Sequence, residues 1–319
     1  MTAVRNGATP AGEDGAFRHQ AILYAGTDDF VARATPLVRS ALGAEKPVLV
    51  ALVPGVLSGL RESLDGEADR VRWLDITGIG LNPARIIPLW REFVAHHRKD
   101  GSTRGVFGIG QPIYAGRTPS ELVEAERHEA LLNLAFGDTS NFDLYCPYDL
   151  ETLEAGAVEA AERTHPHIRP ADTPQPSPGY RPEGLDGAHS GALPNGDGPS
   201  WQRSIDHASS VDLYRLVAGH LDRLRAGGTP AVRGGDLALA AAAVSAGIGG
   251  QHLRIWSEQR QAVVEIVGRV PIVDPLAGRE WPPPAGEPEH GLWLANQLCD
   301  LVQWRSDGRQ GSVVRLRQG

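Results

Sequence analysis

Cysteine is scarce in this chain, and long apolar runs are missing. The two cysteines, Cys146 and Cys299, stand far apart and form no CxxC or other metal-type pair, so we expect free, buried thiols. No stretch approaches the roughly 18–20 apolar residues of a membrane span, and the polar, glycine-rich start has no hydrophobic signal core. We therefore predict a cytoplasmic protein that does not associate with membranes.

An excess of positive charge is also missing. Lysine and arginine number 31 against 39 acidic residues, which gives a net charge of -8, while 41% hydrophobic and 22% charged residues are ordinary for a globular protein. An acidic chain has no general attraction for polyanions, so we expect no direct nucleic-acid partner. The basic residues near the C-terminus alternate along a strand and its turn and are predicted to form a solvated face. They are Arg305, Arg309, Arg315 and Arg317.

Proline and glycine concentrate between Pro166 and Trp201, where aliphatic residues are almost absent. Such a segment cannot bury enough apolar surface to offset the entropy lost on ordering. We therefore predict a linker at 166–205. It separates a domain at 16–165 from a domain at 206–319, and residues 1–15 are predicted to be disordered.

The first domain alternates short apolar runs with helical patterns. Near-continuous apolar strands separated by helices are typical of a parallel sheet covered on both faces. We predict a doubly wound α/β domain with a mostly parallel sheet. The predicted strands are Gln20–Gly26, Pro47–Val53, Val71–Thr77, Arg104–Gly110 and Phe142–Tyr148, and the predicted helices are Asp28–Leu42, Pro54–Leu64, Pro83–His97, Ser120–Phe136 and Leu150–Arg163.

The second domain has a different order of elements. Helices segregated from a mostly antiparallel sheet predict an α+β sandwich, with a hairpin turn at Gln259–Arg260. The predicted helices are Val211–Ala226, Gly235–Ser245 and Gly291–Val302, and the predicted strands are His252–Glu258, Ala262–Val267 and Ser312–Arg317.

Several segments of the first domain are distinctive: FRHQAILYAGTDDFV, LNPARIIPLWREF, GIGQPIYAGRTPSEL, ERHEALLNLAF, YCPYDLETL and RTHPHI. Together they resemble the MEDS sensory domain of bacterial and archaeal regulators. The resemblance covers about residues 16–168. It implies that this domain senses a small molecule.

The second domain carries LRIWSEQRQAVVEIVGR, VDPLAGREWPPP and EHGLWLANQLCDLVQWRS. These segments resemble the histidine-kinase-like ATPase domain of actinobacterial anti-sigma factors of the serine-kinase type. That family holds ATP through a Glu and an Asn on its second helix, an Asp-x-Gly turn and a glycine-rich lid. The resemblance implies a sigma factor or an anti-sigma antagonist as the protein partner.

Four positions depart from this ATPase pattern. Ala243 and Gly247 stand in place of the Glu and the Asn, and Gly268 and Val270 stand in place of the Asp and the Gly of the turn. Magnesium needs oxygen ligands, and phosphoryl transfer depends on positioning and charge stabilisation. We therefore predict no catalytic residues, no cofactor and a partly closed site.

The junction between the lid and the following helix retains the family's pattern at His290 and Gly291. A helix that begins there offers its first amides to an anion.

In the first domain, several polar residues come at the predicted carboxyl ends of strands, where open α/β sheets bind ligands. With His19 and His128 they form a candidate sensory pocket, in which His19 is expected before its strand and His128 on a helix surface. The other members are Gln111, Tyr114, Cys146, Tyr148 and Asp149.

His19, His128, Cys146 and His165 are suitable ligands for soft metals. No short ligand spacing supports a site, so we predict no metal, and a metal- or haem-dependent sensor is an alternative. The leading hypothesis is a non-enzymatic regulator that senses a ligand or partner through its first domain and binds its protein partner through the second. A residual anti-sigma serine kinase is the other alternative, and a homodimer is left open.

Overall fold

The computed structural model describes residues 15–99, 104–182, 192–194, 200–226, 233–281, 288–306 and 311–319. Residues 1–14 of the predicted disordered start, and 183–191 and 195–199 of the predicted linker, lie outside this description. The chain divides into two compact units, the first within Met1–Gly80 and Leu89–Leu185 and the second within Leu81–Pro88 and Asp186–Gly319. In the described ranges, no helix has both the length and the apolar character needed to cross a membrane.

The first unit is built on a mostly parallel sheet. Its strands are β1 (Phe17–Tyr24), β2 (Val48–Leu52), β3 (Val71–Asp75), β4 (Val106–Gly110), β5 (Phe142–Asp149), β6 (His167–Arg169) and β7 (Gln175–Pro176). They lie in the order β3-β2-β4-β5-β1-β6-β7, and β7 pairs antiparallel with β6. Every residue of β2 and β4 is buried, as expected where helices cover both faces of a sheet. The predicted mostly parallel sheet with helices is confirmed.

Helices connect these strands. They are α1 (Gly26–Gly43), α2 (Pro54–Ser63), α3 (Ile76–Ile79), α4 (Ile86–His96), α5 (Pro119–Phe136) and α6 (Ala155–Thr164), with 3₁₀ turns at Asp65–Arg70 and Pro83–Arg85. The start of α5 is fixed by a capping box, in which Thr118 and Glu121 each accept a hydrogen bond from the other's backbone amide. Pro119 occupies the first helical position, where a missing amide costs nothing.

The second unit combines an antiparallel sheet with helices. Its elements are β8 (Trp201–Ser204), α7 (Ser210–Ala226), α8 (Gly234–Ile248), β9 (Gly250–Glu258), β10 (Gln261–Gly268), α9 (Pro288–Leu298), β11 (Leu301–Ser306) and β12 (Ser312–Gln318). The strands lie in the order β11-β12-β10-β9-β8. Gln259 and Arg260 both adopt positive φ angles, 49° and 65°, as a two-residue hairpin turn requires. The separate antiparallel sheet and its hairpin are confirmed.

The predicted linker is too long at both ends. β6 pairs with β1, and β8 pairs with β9, although both strands fall within 166–205. Each is short and has few aliphatic residues, so the composition of the segment concealed strands that are stabilised by pairing with a longer neighbour. Both cysteines are free and buried, as predicted.

The last predicted helix is also too long. α9 ends at Leu298, and Leu301 already begins β11, so the helix predicted at Gly291–Val302 includes the start of a strand. The apolar residues around Cys299 fit a helical pattern as well as a strand, and short apolar runs are ambiguous in this way.

The predicted first domain is not continuous, because Leu81–Pro88 belongs to the second unit. Within that unit the Arg85 side chain donates to the backbone carbonyls of Asn296 at 2.6 Å and Cys299 at 2.7 Å. These carbonyls lie at the end of α9, where a helix leaves its acceptors unpaired. Arg85 therefore caps α9 from a segment distant in sequence.

The predicted solvated arginine face is wrong for the residues described. Arg305, Arg315 and Arg317 are 8%, 3% and 5% exposed, and Arg309 lies outside the described residues. Arg315 pairs with Glu265 in the neighbouring strand at 3.0 Å, and Arg317 pairs with a glutamate of β9 at 2.9 Å. Pairing with carboxylates allows Arg315 and Arg317 to be buried.

Candidate functional site

Four side chains with metal-ligating or nucleophilic atoms meet inside the first unit. They are His19, Glu129, Cys146 and His165, hereafter the buried cluster, and none is more than 2% exposed. His19 Nε2 lies 3.1 Å from Glu129 Oε2 and 3.3 Å from Cys146 Sγ. His165 Nε2 lies 3.5 Å from the same carboxylate oxygen. One nitrogen from each histidine, the sulfur and a carboxylate oxygen all lie within 4.8 Å of one another.

Neighbouring strands bring two of these residues together. β1 and β5 are parallel neighbours, and Ala21 is opposite Cys146 in their register. Because side chains alternate along a strand, His19 lies on the same face of β1 as Ala21. The opposite face of β1 packs against α1, where the rings of Tyr24 and Phe30 are 5.0 Å apart.

Helices supply the other two residues. Glu129 projects from α5, and His165 follows directly after α6. Asn133, one helical turn after Glu129, accepts a hydrogen bond from His19 Nδ1 at 3.1 Å and donates to the Thr164 carbonyl at 2.7 Å. Asn133 thus links β1, α5 and the end of α6 around the cluster.

Burial and mutual charge set the protonation of the cluster. Burial and the neighbouring His165 lower the pKa of His19, while burial and then Glu129 raise that of Cys146. Burial alone would raise the pKa of Glu129, but His165 and His19 outweigh this effect, and the pKa lies below its usual value. The cluster therefore combines a carboxylate with a neutral imidazole and a protonated thiol.

Three members of the predicted sensory pocket lie at or beside this cluster. His19 and Cys146 are in contact, and the ring of Tyr148 lies 5.6 Å from that of His165. Two of the predicted positions are wrong: His19 lies within β1 and not before it, and Cys146 lies in the middle of β5 and not at its carboxyl end. β1 begins three residues before its apolar run indicated, whereas β5 begins at Phe142 as predicted and extends one residue further, to Asp149.

His128 was predicted to lie on the surface of its helix, but it is fully buried. It also does not belong to the buried cluster, to which the neighbouring Glu129 contributes instead. Successive residues of an α-helix point about 100° apart, so the two cannot face the same site. The charged residues around His128 suggested a solvated face, whereas both faces of this part of α5 are buried.

The remaining predicted pocket residues make local contacts elsewhere. Gln111 accepts a hydrogen bond from the Val53 amide and donates to the Tyr24 hydroxyl, both at 3.2 Å. Asp149 accepts a hydrogen bond from the Gly26 amide at 3.2 Å. These contacts join the carboxyl end of β4 to those of β2 and β1, and the carboxyl end of β5 to that of β1. Tyr114 instead lies under the guanidinium of Arg117, 4.3 Å from its centre.

The predicted pocket did not include Glu129 or His165. The signal for them was their place beside other polar residues, with Glu129 inside a helical pattern at 128–129 and His165 directly after one at 165–167. Their convergence depends on strand order and helix placement, which the spacing of residues along the chain does not reveal.

In the second unit, the four positions that depart from the ATPase pattern lie in α8 and at or just after the end of β10. Two of them closely approach the carbonyl of Ile248. A Cβ atom on Gly268 would lie 2.3 Å from the Ile248 carbonyl oxygen, at the end of α8. Val270 donates its amide to that same carbonyl at 2.9 Å. Ala243 and Gly247 are in α8 itself. The predicted ATP positions are therefore grouped along α8 and the end of β10.

His290 and Gly291 lie in the first turn of α9. A Cβ atom on Gly291 would lie 2.5 Å from the carbonyl oxygen of Ala243, so the backbones of α8 and α9 approach closely at this point. The glycine thus has a packing role between the two helices.

A pocket of about 230 Å³ lies beside α8. Ala242, Ser245, Gly249 and Arg269 contribute to its lining, and none of the four departing positions does. Its volume is below the roughly 300–1,000 Å³ that is usual for ligand sites.

The comparisons with known proteins include a match between part of the chain and a family model. No curated protein and no solved structure matches this chain. Residues 18–166, which include the whole buried cluster, match the family model of MEDS, the MEthanogen/methylotroph, DcmR Sensory domain, and this match indicates a signalling or sensory role.

Proposed function

We propose that this protein is a non-enzymatic regulator whose first unit receives a signal and whose second unit binds a sigma factor or an anti-sigma antagonist. The observation that carries the proposal is the set of residues at the four ATP-binding positions. They are Ala243, Gly247, Gly268 and Val270. None of these side chains has an oxygen that holds magnesium or accepts a hydrogen bond from adenine. A unit of this kind acts by binding.

Close packing around the same positions supports the proposal. The approach of Gly291 to Ala243 brings the start of α9 against α8, and the contact between Gly268 and Ile248 closes the end of β10. A nucleotide would have to separate these backbones before it reached the positions that bind it in the resembled ATPases. These contacts favour binding of a partner over the alternative of a residual serine kinase.

An exposed tryptophan supports a role in protein binding. Trp281 is 76% exposed, and its ring stacks on that of Trp293 in α9 with 6.2 Å between centroids. Tryptophan is enriched among the residues that dominate binding energy in protein interfaces. Trp281 is therefore the side chain through which we expect the partner to be held.

The test is a calorimetric titration of the full chain with each sigma factor and anti-sigma antagonist of its host. We expect one of them to bind and the Trp281→Ala variant to weaken its affinity by about 30-fold or more, because truncation of a hot-spot residue costs about 2 kcal/mol or more and tryptophan is enriched among hot spots. Val211, which is 57% exposed on α7, provides a matched control, and Val211→Ala should bind as the unchanged chain does.

Two results would count against the proposal. If no sigma factor or antagonist binds, the proposed class of partner is wrong. If Trp281→Ala and Val211→Ala weaken the affinity equally, the partner does not bind at the surface around Trp281.

A further inference from the structure

We propose that His19, Glu129, Cys146 and His165 together bind one divalent transition-metal ion of borderline softness, such as Zn²⁺. This inference goes beyond the proposed function, since it concerns only the first unit and holds whether or not the second unit binds a sigma factor. It differs from the absence of metal that the sequence predicts, because the four ligands come from separate elements and have no diagnostic spacing.

Three of the distances within the buried cluster are close to those of a tetrahedral site. Zinc bonds of about 2.0–2.3 Å in tetrahedral geometry place neighbouring ligand atoms about 3.3–3.8 Å apart. His19 Nε2 lies 3.3 Å from Cys146 Sγ, and Glu129 Oε2 lies 3.1 Å from His19 Nε2 and 3.5 Å from His165 Nε2. All four ligand atoms lie within 4.8 Å of one another, so the most distant pair would approach by about 1 Å to reach bonding positions around one ion.

The hydrogen bonds behind the imidazoles direct their lone pairs inward. His165 Nδ1 lies 2.9 Å from the Ala161 carbonyl, which only accepts, so Nδ1 carries the proton. His19 Nδ1 lies 3.1 Å from Asn133 Oδ1, and this amide is oriented by its own donation to the Thr164 carbonyl. In neutral imidazoles both Nε2 atoms therefore face the cluster as acceptors. Outer hydrogen bonds of this kind are typical of metal-binding histidines.

A cation would satisfy the acceptors that face one another in the buried cluster. Glu129 Oε1 and His165 Nε2 are buried and have no hydrogen-bond partner in the described part of the chain. Glu129 Oε2 lies 3.1 Å from the acceptor nitrogen of His19. Leaving such groups without a partner in the protein interior costs free energy. One ion bound by all four side chains would give His165 Nε2 a partner and would balance the charge of the Glu129 carboxylate.

The ligand types indicate which ion fits. Two imidazoles, one thiolate and one carboxylate suit Zn²⁺ and related transition metals, whereas Mg²⁺ and Ca²⁺ take oxygen ligands. The charges of a thiolate and a carboxylate balance a divalent ion, which makes the site neutral and suits complete burial. Four protein ligands without an exposed position are typical of a closed, non-catalytic zinc site.

The experiment measures metal in the untagged full-length protein, purified without chelators, by mass spectrometry of the elements. We expect about one equivalent of zinc per chain, with lower content in Cys146→Ser and His165→Gln. The matched controls are Cys299→Ser, which changes the other buried cysteine, and His167→Gln, which changes a nearby histidine outside the cluster. Both controls should retain the metal.

A second measurement does not depend on the folding of the variants. After removal of zinc, addition of Co²⁺ to the unchanged protein should give the strong visible absorption of a tetrahedral site and a thiolate charge-transfer band, which Cys299→Ser preserves. Asn133→Ala, which leaves all four ligands in place, should weaken the affinity for Zn²⁺ about 10–100-fold.

Several results would overturn the proposal. One is substoichiometric metal after purification together with no uptake of Zn²⁺ or Co²⁺. Another is a cobalt spectrum without the thiolate band. A third is loss of metal from Cys299→Ser and His167→Gln to the same degree as from Cys146→Ser and His165→Gln.

Discussion

Replacing Glu265 with leucine is expected to lower the free energy of unfolding by about 3–5 kcal/mol, which is the usual cost of removing one partner from a buried ion pair. The variant leaves the Arg315 side chain, 3% exposed, without its carboxylate. Arg254 loses the same partner, which it contacts at 3.1 Å. Urea denaturation of the full chain measures the change. Fluorescence reports on this region because both guanidiniums lie within 5.4 Å of the Trp256 ring.

The double variant Glu265→Leu with Arg315→Met is the control for this prediction. Replacing both partners of a buried ion pair by apolar side chains is often neutral or stabilising, so most of the lost stability should return. A cost below about 1 kcal/mol for the single variant would mean that Arg315 is solvated, as the sequence alone predicted.

Two Gly-to-Ala substitutions in helices of the second unit should change stability in opposite directions. Gly291→Ala is expected to destabilise the protein by about 1–3 kcal/mol, since its Cβ would lie 2.5 Å from the Ala243 carbonyl oxygen and would force α9 away from α8. Gly219, in α7, has no neighbouring atom within 4 Å of the place where a Cβ would lie, so Gly219→Ala should stabilise by about 0.5–1 kcal/mol. Thermal and urea denaturation of the two variants give the comparison.

These two glycine substitutions also test whether α9 stays packed against α8. If Gly291 is a packing residue, alanine is costly there with or without nucleotide. Gly291→Ala with unchanged stability would show that the two helices can separate, which would weaken the argument that packing closes the ATP positions.

The parts of the fold that could be predicted are those determined by local pattern. The apolar runs of β2 and β4 identify buried parallel strands, and the proline at position 119 marks the start of α5. Strands such as β6 and β8 could not be found in this way, because their stability comes from pairing with β1 and β9. The burial of Arg315 likewise depends on Glu265, which the sequence places 50 residues away.

The candidate site could be predicted only in part. His19 and Cys146 were recognised as polar residues associated with strands, and they do meet. Glu129 was obscured by the adjacent His128, because the choice between them depends on the rotation of α5 about its axis. His165 joins the cluster only because α6 returns the chain to β1, beside which β6 then pairs.

The second unit is proposed to act by binding and not through ATP. The decisive measurement is the melting temperature of the full chain in millimolar MgATP, compared with the same buffer without nucleotide. We predict no change, because ligand binding to the native state is what raises the melting temperature. An increase of several degrees, which corresponds to about 1 kcal/mol or more of stabilisation, would contradict the account and favour a residual serine kinase.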